Sequence, residues 1–212
     1  MSRATHEPQQ DRSRATRERL LESAVTLLSE VGWTGTTVAT VAADSGVSRG
    51  AAQHHFPTRD DLFTAAIEHM TVARVKEIQT TLLAQSNNPV TVREVLDSLA
   101  GMYAGPLFRA ALQVWTAAAV DPAVREHIIP LEQVVAREAF RLAATLLNID
   151  RDNPRLRAIV AATLDLGRGL GLANILTDDA SRRSWVLDAW CEELQEIITR
   201  ETAQTPPNPS AG

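Results

Sequence analysis

The sequence predicts an all-α protein of about nine helices. Apolar residues recur at helical spacing, no segment shows convincing strand alternation, and turn formers or cap-plus-proline pairs precede one helical pattern after another. Composition agrees. Hydrophobic residues are 44% of the 212, with alanine and leucine dominant and aromatics only 4%, a mixture that favours helix and is long enough to bury a core.

Residues 1–11 are polar, with Pro8 and paired glutamines, and are expected to be a disordered arm. Leu20, Ala24, Leu27, Leu28 and Val31 then form one apolar stripe, and Gly32 should end that helix in the left-handed conformation. Thr36 and Thr37 stand ready to cap a second helix carrying Val38, Val41 and Ala42. Gly46 breaks the pattern. Ser48 can cap a very short third helix, which Pro57 closes because the residue before proline avoids the helical basin. Thr58 and Asp61 spell a capping box for a long helix through Leu62, Ala66, Met70 and Ala73.

Further stops fall at Asn87-Asn88-Pro89, Gly105-Pro106, Asp121-Pro122, Asn148 to Pro154 and Thr177 to Ser181, and Thr91 with Glu94 makes another capping box. Pro130 lies inside an apparently helical stretch and should kink or divide it. The closing TPPNPSAG has little to pack with. The expected organisation is an arm at 1–11, one domain at 12–74, a second helical domain at 75–204 and a disordered tail at 205–212.

Several function classes lose ground on composition. The longest apolar runs are far short of a membrane span and no charged-then-apolar leader opens the chain, so a cytoplasmic protein without a membrane partner is expected. One cysteine, Cys191, excludes an internal disulfide and a cysteine-cluster zinc site, and is expected to be a buried helix residue. Neither H-E-x-x-H nor E-x-x-H occurs, so no metal or other cofactor is expected. The net charge of −5 argues by itself against a nucleic-acid partner, but it is uneven. Residues 1–19 hold five arginines against Glu7, Asp11 and Glu18, a net +2, whereas the chain from Asp61 onward is net −5. A basic entry to an acidic chain is compatible with local phosphate binding.

The stretch 46-GVSRGAAQHHF-56 admits two chemistries. Gly46-Val47-Ser48-Arg49-Gly50 spells G-x-S-x-G, the nucleophile elbow of a serine hydrolase, which needs a buried strand running into the first glycine. The preceding VATVAADS has helical spacing instead. A helix-turn-helix accounts for more of the letters: Ala42 is small at a helix crossing, Gly46 can take positive φ, Val47 points inward and Ser48 caps the next helix. Arg49, Gly50, Gln53 and His54 then face outward, small, polar or basic as groove binding requires.

Residues 14–74 resemble the DNA-binding domain of the TetR family of transcriptional regulators. The matching residues are Gly32-Trp33-Thr34-Gly35-Thr36-Thr37, then Gly46 through Phe56, then Arg59 and Leu62. Ala52 and Gln53 depart from the family's usual Leu-Tyr, and Arg59 stands where lysine is usual. The resemblance implies a three-helix DNA-binding domain with its helix-turn-helix at 37–56, followed by a helical ligand-binding and dimerisation domain. It makes the chain a non-enzymatic homodimeric regulator, a repressor by family habit, whose partners are a palindromic double-stranded DNA operator and a small, largely apolar effector.

By that resemblance, phosphate contacts fall to Thr37, Ser48, His54 and Arg59, with the arginines Arg12, Arg14 and Arg17. Arg49 and Gln53 are candidates for base edges, since arginine suits guanine and glutamine adenine, and Gly50 lets the backbone approach. His55, Phe56 and Trp33 are expected to be structural. The expected dimer face comprises Leu164, Gly167 and Leu170 with Val186, Trp190, Leu194 and Ile197. The expected pocket is lined by Met102, Tyr103, Phe108, Trp115, His127 and Phe140. A helical adaptor that binds proteins and not DNA is the other non-enzymatic reading.

Overall fold

The computed structural model describes residues 7–84, 90–177 and 179–204. Among these residues are nine α-helices and no strand: α1 (Glu7–Gly35), α2 (Val38–Asp44), α3 (Arg49–His55), α4 (Arg59–Ala84), α5 (Val92–Met102), α6 (Gly105–Val120), α7 (Pro122–Leu146), α8 (Pro154–Ala173) and α9 (Ala180–Gln204). The all-α reading and the number of helices are as the sequence predicts. The stop at Asn87-Asn88-Pro89 and the tail at 205–212 lie outside the described residues.

The helices form two compact units. The first holds α1 to α3, α4 as far as Arg74, α6, and α7 as far as Val135. Its core joins Leu20, Leu21, Ala24 and Leu28 of α1 to Val41, Ala52, Leu62, Phe63 and Ala66, with Ala110 and Val114 of α6 packed on the same cluster. This unit runs to Arg74 and also takes residues 105–135, which the sequence places in the second domain. Spacing alone shows that α6 has an apolar stripe; it does not show that α1 is the helix it covers. The second unit packs α5, α8 and α9 with the remaining parts of α4 and α7 around Leu96, Leu99, Ala143, Val160 and Leu194. Fully burying one such leucine is worth roughly 1.5–3 kcal/mol.

Local signals hold at most boundaries. Thr91 and Glu94 form a reciprocal capping box, and Asn153 accepts from Arg155 N at 2.9 Å with Pro154 opening α8. Asp121 accepts from Ala123 N at 2.9 Å ahead of Pro122. Gly32 takes φ 74° as expected, but helical geometry resumes after it, so α1 is broken there and runs on to Gly35. Helix α1 starts at Glu7, inside the segment expected to be a disordered arm, with Pro8 in the first turn, where the missing N–H has no helical partner to lose; residues 1–6 of that arm lie outside the described residues. Pro130, expected to kink or divide its stretch, lies exposed inside an undivided α7, with Ile128 and Leu131 near it buried.

Candidate nucleic-acid interface

The turn between α2 and α3 is built by its backbone. Gly46 N donates to Ala43 O at 3.3 Å and Val47 N to Ala42 O at 2.9 Å, the paired bonds of a Schellman cap. That closure needs a left-handed residue, and Gly46 supplies it at φ 66°. Val47 is carried inward, with 8% exposure, onto the core. No strand feeds the G-x-S-x-G match, and Ser48 instead caps α3 by accepting from Ala51 N at 3.3 Å. A hydroxyl that accepts one bond still holds a proton to donate outward.

Helix α3 has seven residues and leans on α1 and α2. Ala52 is fully buried and Phe56 nearly so, which leaves Arg49, Gly50, Gln53 and His54 exposed on about 140° of the opposite arc. Thr37 caps α2 and exchanges bonds with Thr40: Thr40 N donates to Thr37 Oγ1 at 3.1 Å, and Thr37 N to Thr40 Oγ1 at 2.8 Å. Thr40, also exposed, thus shares this edge. The sequence reading missed it, although Thr37-Val38-Ala39-Thr40 is a capping-box spacing with threonine in the usual place of Glu or Gln.

The basic side chains of α1 reach the same three-helix body. The Arg17 guanidinium lies 5.4 Å from the centre of the Phe56 ring, and Arg19 Nη1 donates to Ser45 O at 3.4 Å. Arg12 and Arg14 are exposed on the preceding turns. Inside, Ser23 donates to Asp44 Oδ2 at 2.6 Å and ties α1 to the end of α2. A serine on the stripe of Leu20, Ala24 and Leu27 was the available signal for that tie. His55 is half-buried, and burial, then His54 and Arg17, push it below its ordinary value near 6.5.

Arg59, expected to hold a phosphate, opens α4. Its guanidinium is stacked 4.2 Å from the centre of the Trp33 ring and lies 3.9 Å from Asp60 Oδ1, an aromatic and acidic setting. Trp33 itself packs edge to face on Phe63 at 5.3 Å, as a structural residue should.

Four of the seven residues of the expected dimer face are buried within the chain. Leu164, Gly167, Leu170 and Leu194 are buried within the chain's own second unit, and Trp190 donates to Thr163 Oγ1 at 3.0 Å. A Cβ on Gly167 would come within 3.1 Å of Tyr103. Val186 is half-buried against the same core, and Ile197 is half-buried. Apolar periodicity marks a buried stripe without saying whether the chain or its twin buries it. Directly opposite, α8 exposes Ala158, Ala161, Ala162, Asp165, Gly169 and Leu172 within about 100° of arc, and Pro154, Arg155 and Arg157 are also exposed in its first turns. On α9, Trp185 is 63% exposed.

The six expected pocket residues are divided between the units. Phe108, Trp115 and His127 fall in the first, where Phe108 and Trp115 meet edge to face at 6.2 Å and Trp115 Nε1 donates to Glu132 Oε1. Exposed His127 is bonded to Ala123 O at 2.9 Å. Met102, Tyr103 and Phe140 fall in the second, with Met102 and Phe140 against its core. Neither unit alone assembles the set. Among the described residues, no group of three or more His, Cys, Asp or Glu is placed to hold a metal ion, and no helix is long and apolar enough to cross a membrane.

A glycine-turned helix pair with a polar, basic outer face defines a helix-turn-helix DNA-binding protein. Residues 20–66 match the family model for bacterial regulatory proteins of the tetR family. The HTH-type transcriptional regulator CymR of Pseudomonas putida is 32% identical over 194 residues, spanning 89% of this chain and 93% of CymR. The regulator BetI of Pectobacterium carotovorum subsp. carotovorum (strain PC1) is 22% identical over 187 residues, spanning 87% and 94%. Among solved structures, a TetR-family member from Streptomyces coelicolor A3 matches with a TM-score of 0.58 at 25% identity, over 86% of this chain and 98% of that one. The multidrug binding protein EbrR complexed with malachite green matches at 0.57 and 26%, over 86% and 97%. The chain belongs to the TetR family of transcriptional regulators.

Proposed function

We propose that the protein is a cytoplasmic homodimeric repressor that binds a palindromic operator and leaves it when a small, largely apolar effector binds. The observation that carries this reading is the exposed face of α3, with Arg49, Gly50, Gln53 and His54 outward and Ala52 fully buried behind them. Arg49 presents a planar fork to guanine O6 and N7, and Gln53 a donor–acceptor pair to adenine N6 and N7. Thr37, Ser48, His54, Arg12, Arg14 and Arg17 hold phosphates and fix the register. In this role Ser48 is a cap and phosphate ligand, and the protein is no enzyme.

One recognition helix of this length reads too few base pairs to be specific, so a twofold copy is required to set two such helices about one DNA turn apart, ~34–36 Å. The exposed small-residue stripe of α8, with Leu172 and Trp185 nearby in sequence order, suits close approach of a second copy. Release follows if the effector favours the dimer geometry that mismatches the operator, since a ligand shifts an equilibrium only by its differential affinity. EbrR, similar to this chain, binds malachite green, which supports a small-molecule effector.

The test is a gel-shift titration on the gene's own upstream DNA and on random DNA at two salt concentrations, with sedimentation of the free protein. A dimer that prefers the upstream DNA supports the reading. A dimer or monomer that binds neither DNA leaves the adaptor reading in its place.

A further inference from the structure

Arg59 opens α4, and its side chain is about one-third exposed. Its guanidinium carbon lies 4.2 Å from the centre of the Trp33 ring and 6.0 Å from that of Phe63, a fully buried residue one turn further along α4. Trp33 follows directly on the break at Gly32, and buried Thr36 donates to Gly32 O at 2.8 Å across that break. The next residue, Thr37, caps α2. The stack therefore ties the first turn of α4 to the point where α1 hands over to the helix-turn-helix. Of the two adjacent carboxylates, Asp60 lies 3.9 Å from the Arg59 guanidinium, and Asp61 is engaged by the N–H and hydroxyl of Thr58.

We infer that Arg59 is a positioning residue for DNA binding and not a phosphate contact: the Trp33–Arg59–Phe63 stack fixes the angle of α4 against the helix-turn-helix, and α3 presents its reading face only while the stack is closed. A planar guanidinium stacks on an indole in a way that a lysine ammonium does not reproduce, so the charge alone is insufficient. The inference rests on the DNA-binding reading above.

The experiment measures DNA affinity by fluorescence anisotropy from low to high salt for the full chain, Arg59→Ala, Arg59→Lys, Trp33→Phe, Trp33→Leu and the Trp33→Leu/Arg59→Ala double variant. Helicity is monitored at the assay temperature. The stack predicts a loss of about three- to tenfold for Arg59→Ala, and an equal loss for Arg59→Lys despite its retained charge. Trp33→Leu should match them, Trp33→Phe should recover most of the affinity, and the double variant should lose little more than either single one. The slope of log affinity against log salt should be unchanged in all. A slope lowered by about one in Arg59→Ala, restored by Arg59→Lys and with Trp33→Leu neutral, makes Arg59 a phosphate contact and overturns the inference. Variants that melt earlier but bind normally per folded molecule overturn it too, and should Trp33→Leu fail to fold, Arg59→Lys and Trp33→Phe decide between the two roles. Wild-type protein that binds no DNA ends the functional reading itself, a result distinct from either.

Discussion

Two glycines, each two residues from the Ser48 cap, separate scaffold from interface, and alanine at each should act in opposite directions. Gly46 sits at φ 66° with nothing within 4 Å of an added Cβ, so Gly46→Ala meets no clash and its cost is conformational. Holding an L-residue in the left-handed region costs roughly 1–2 kcal/mol. Gly50 lies in the first turn of α3 with equally open space and no positive φ, so Gly50→Ala should stabilise the fold by about 0.5 kcal/mol, the low end for a helix, because first-turn positions are less constrained. At about 2–4 °C per kcal/mol for a chain of this size, Gly46→Ala should melt about 2–8 °C lower and Gly50→Ala about 1–2 °C higher. Their DNA affinities should reverse that order. The Gly50 methyl enters the face between Gln53 and His54 and should weaken specific binding by about tenfold, roughly 1.4 kcal/mol. Gly46→Ala should bind normally per folded molecule. Thermal unfolding and anisotropy on the same samples provide both numbers. Gly50→Ala binding as tightly as wild type would refute a close backbone approach at α3, and a stabilised Gly46→Ala would refute the conformational account of the turn.

Other perturbations probe other parts of the molecule. Leu194→Ala, in a residue 1% exposed, should destabilise the protein by about 2–5 kcal/mol through a cavity in the second unit, measured by denaturant titration, whereas a surface dimer contact would change association and leave monomer stability nearly intact. Ala161→Arg, on the exposed stripe of α8, should convert the dimer to monomer in sedimentation, and an unchanged dimer would move the interface elsewhere. His55 is held below its ordinary value by burial, then by His54 and Arg17, so the unfolded chain takes up its proton more readily. Its stability contribution is present above about pH 6.5 and lost as pH falls through the lower folded value, and His55→Gln should reduce the drop in Tm between about pH 7 and 5. His127 is raised by its bond to Ala123 O, with Asp60, Glu126 and Asp61 adding to it, so its contribution is full at low pH and lost as pH rises through the raised value. His127→Gln should accordingly make the acid drop steeper, and the reverse pattern would contradict these environments.

The reading head was legible because its letters are local. Gly46, Val47, Ser48 and the capping residues of α2, α4, α5 and α8 each act within five residues of their own position, so spacing and residue type suffice. What the chain hides is which distant stripe each stripe meets. The face of Leu164, Leu170 and Leu194 looks the same whether the chain or its twin covers it, and the outward face of α8, mostly alanine and glycine with Asp165 and Leu172, gives only a weak hydrophobic signal. The contact of Arg59 with Trp33 is hidden as well, because Trp33 is 26 positions earlier and nothing local announces it. The division of the expected pocket residues between the two units is hidden for the same reason: aromatic residues in the middle of the chain mark burial, and only the packing says in which unit.

Selection of bound DNA from a random pool, run in parallel with the full chain and with Arg49→Ala, tests the central assignment most directly. The account predicts an inverted repeat with half-sites about one helical turn apart, and a variant that loses preference at one base pair per half-site, costing ~1–3 kcal/mol there, while the remaining positions persist. Enrichment of no common sequence, or of a repeat that Arg49→Ala leaves untouched at every position, would contradict it.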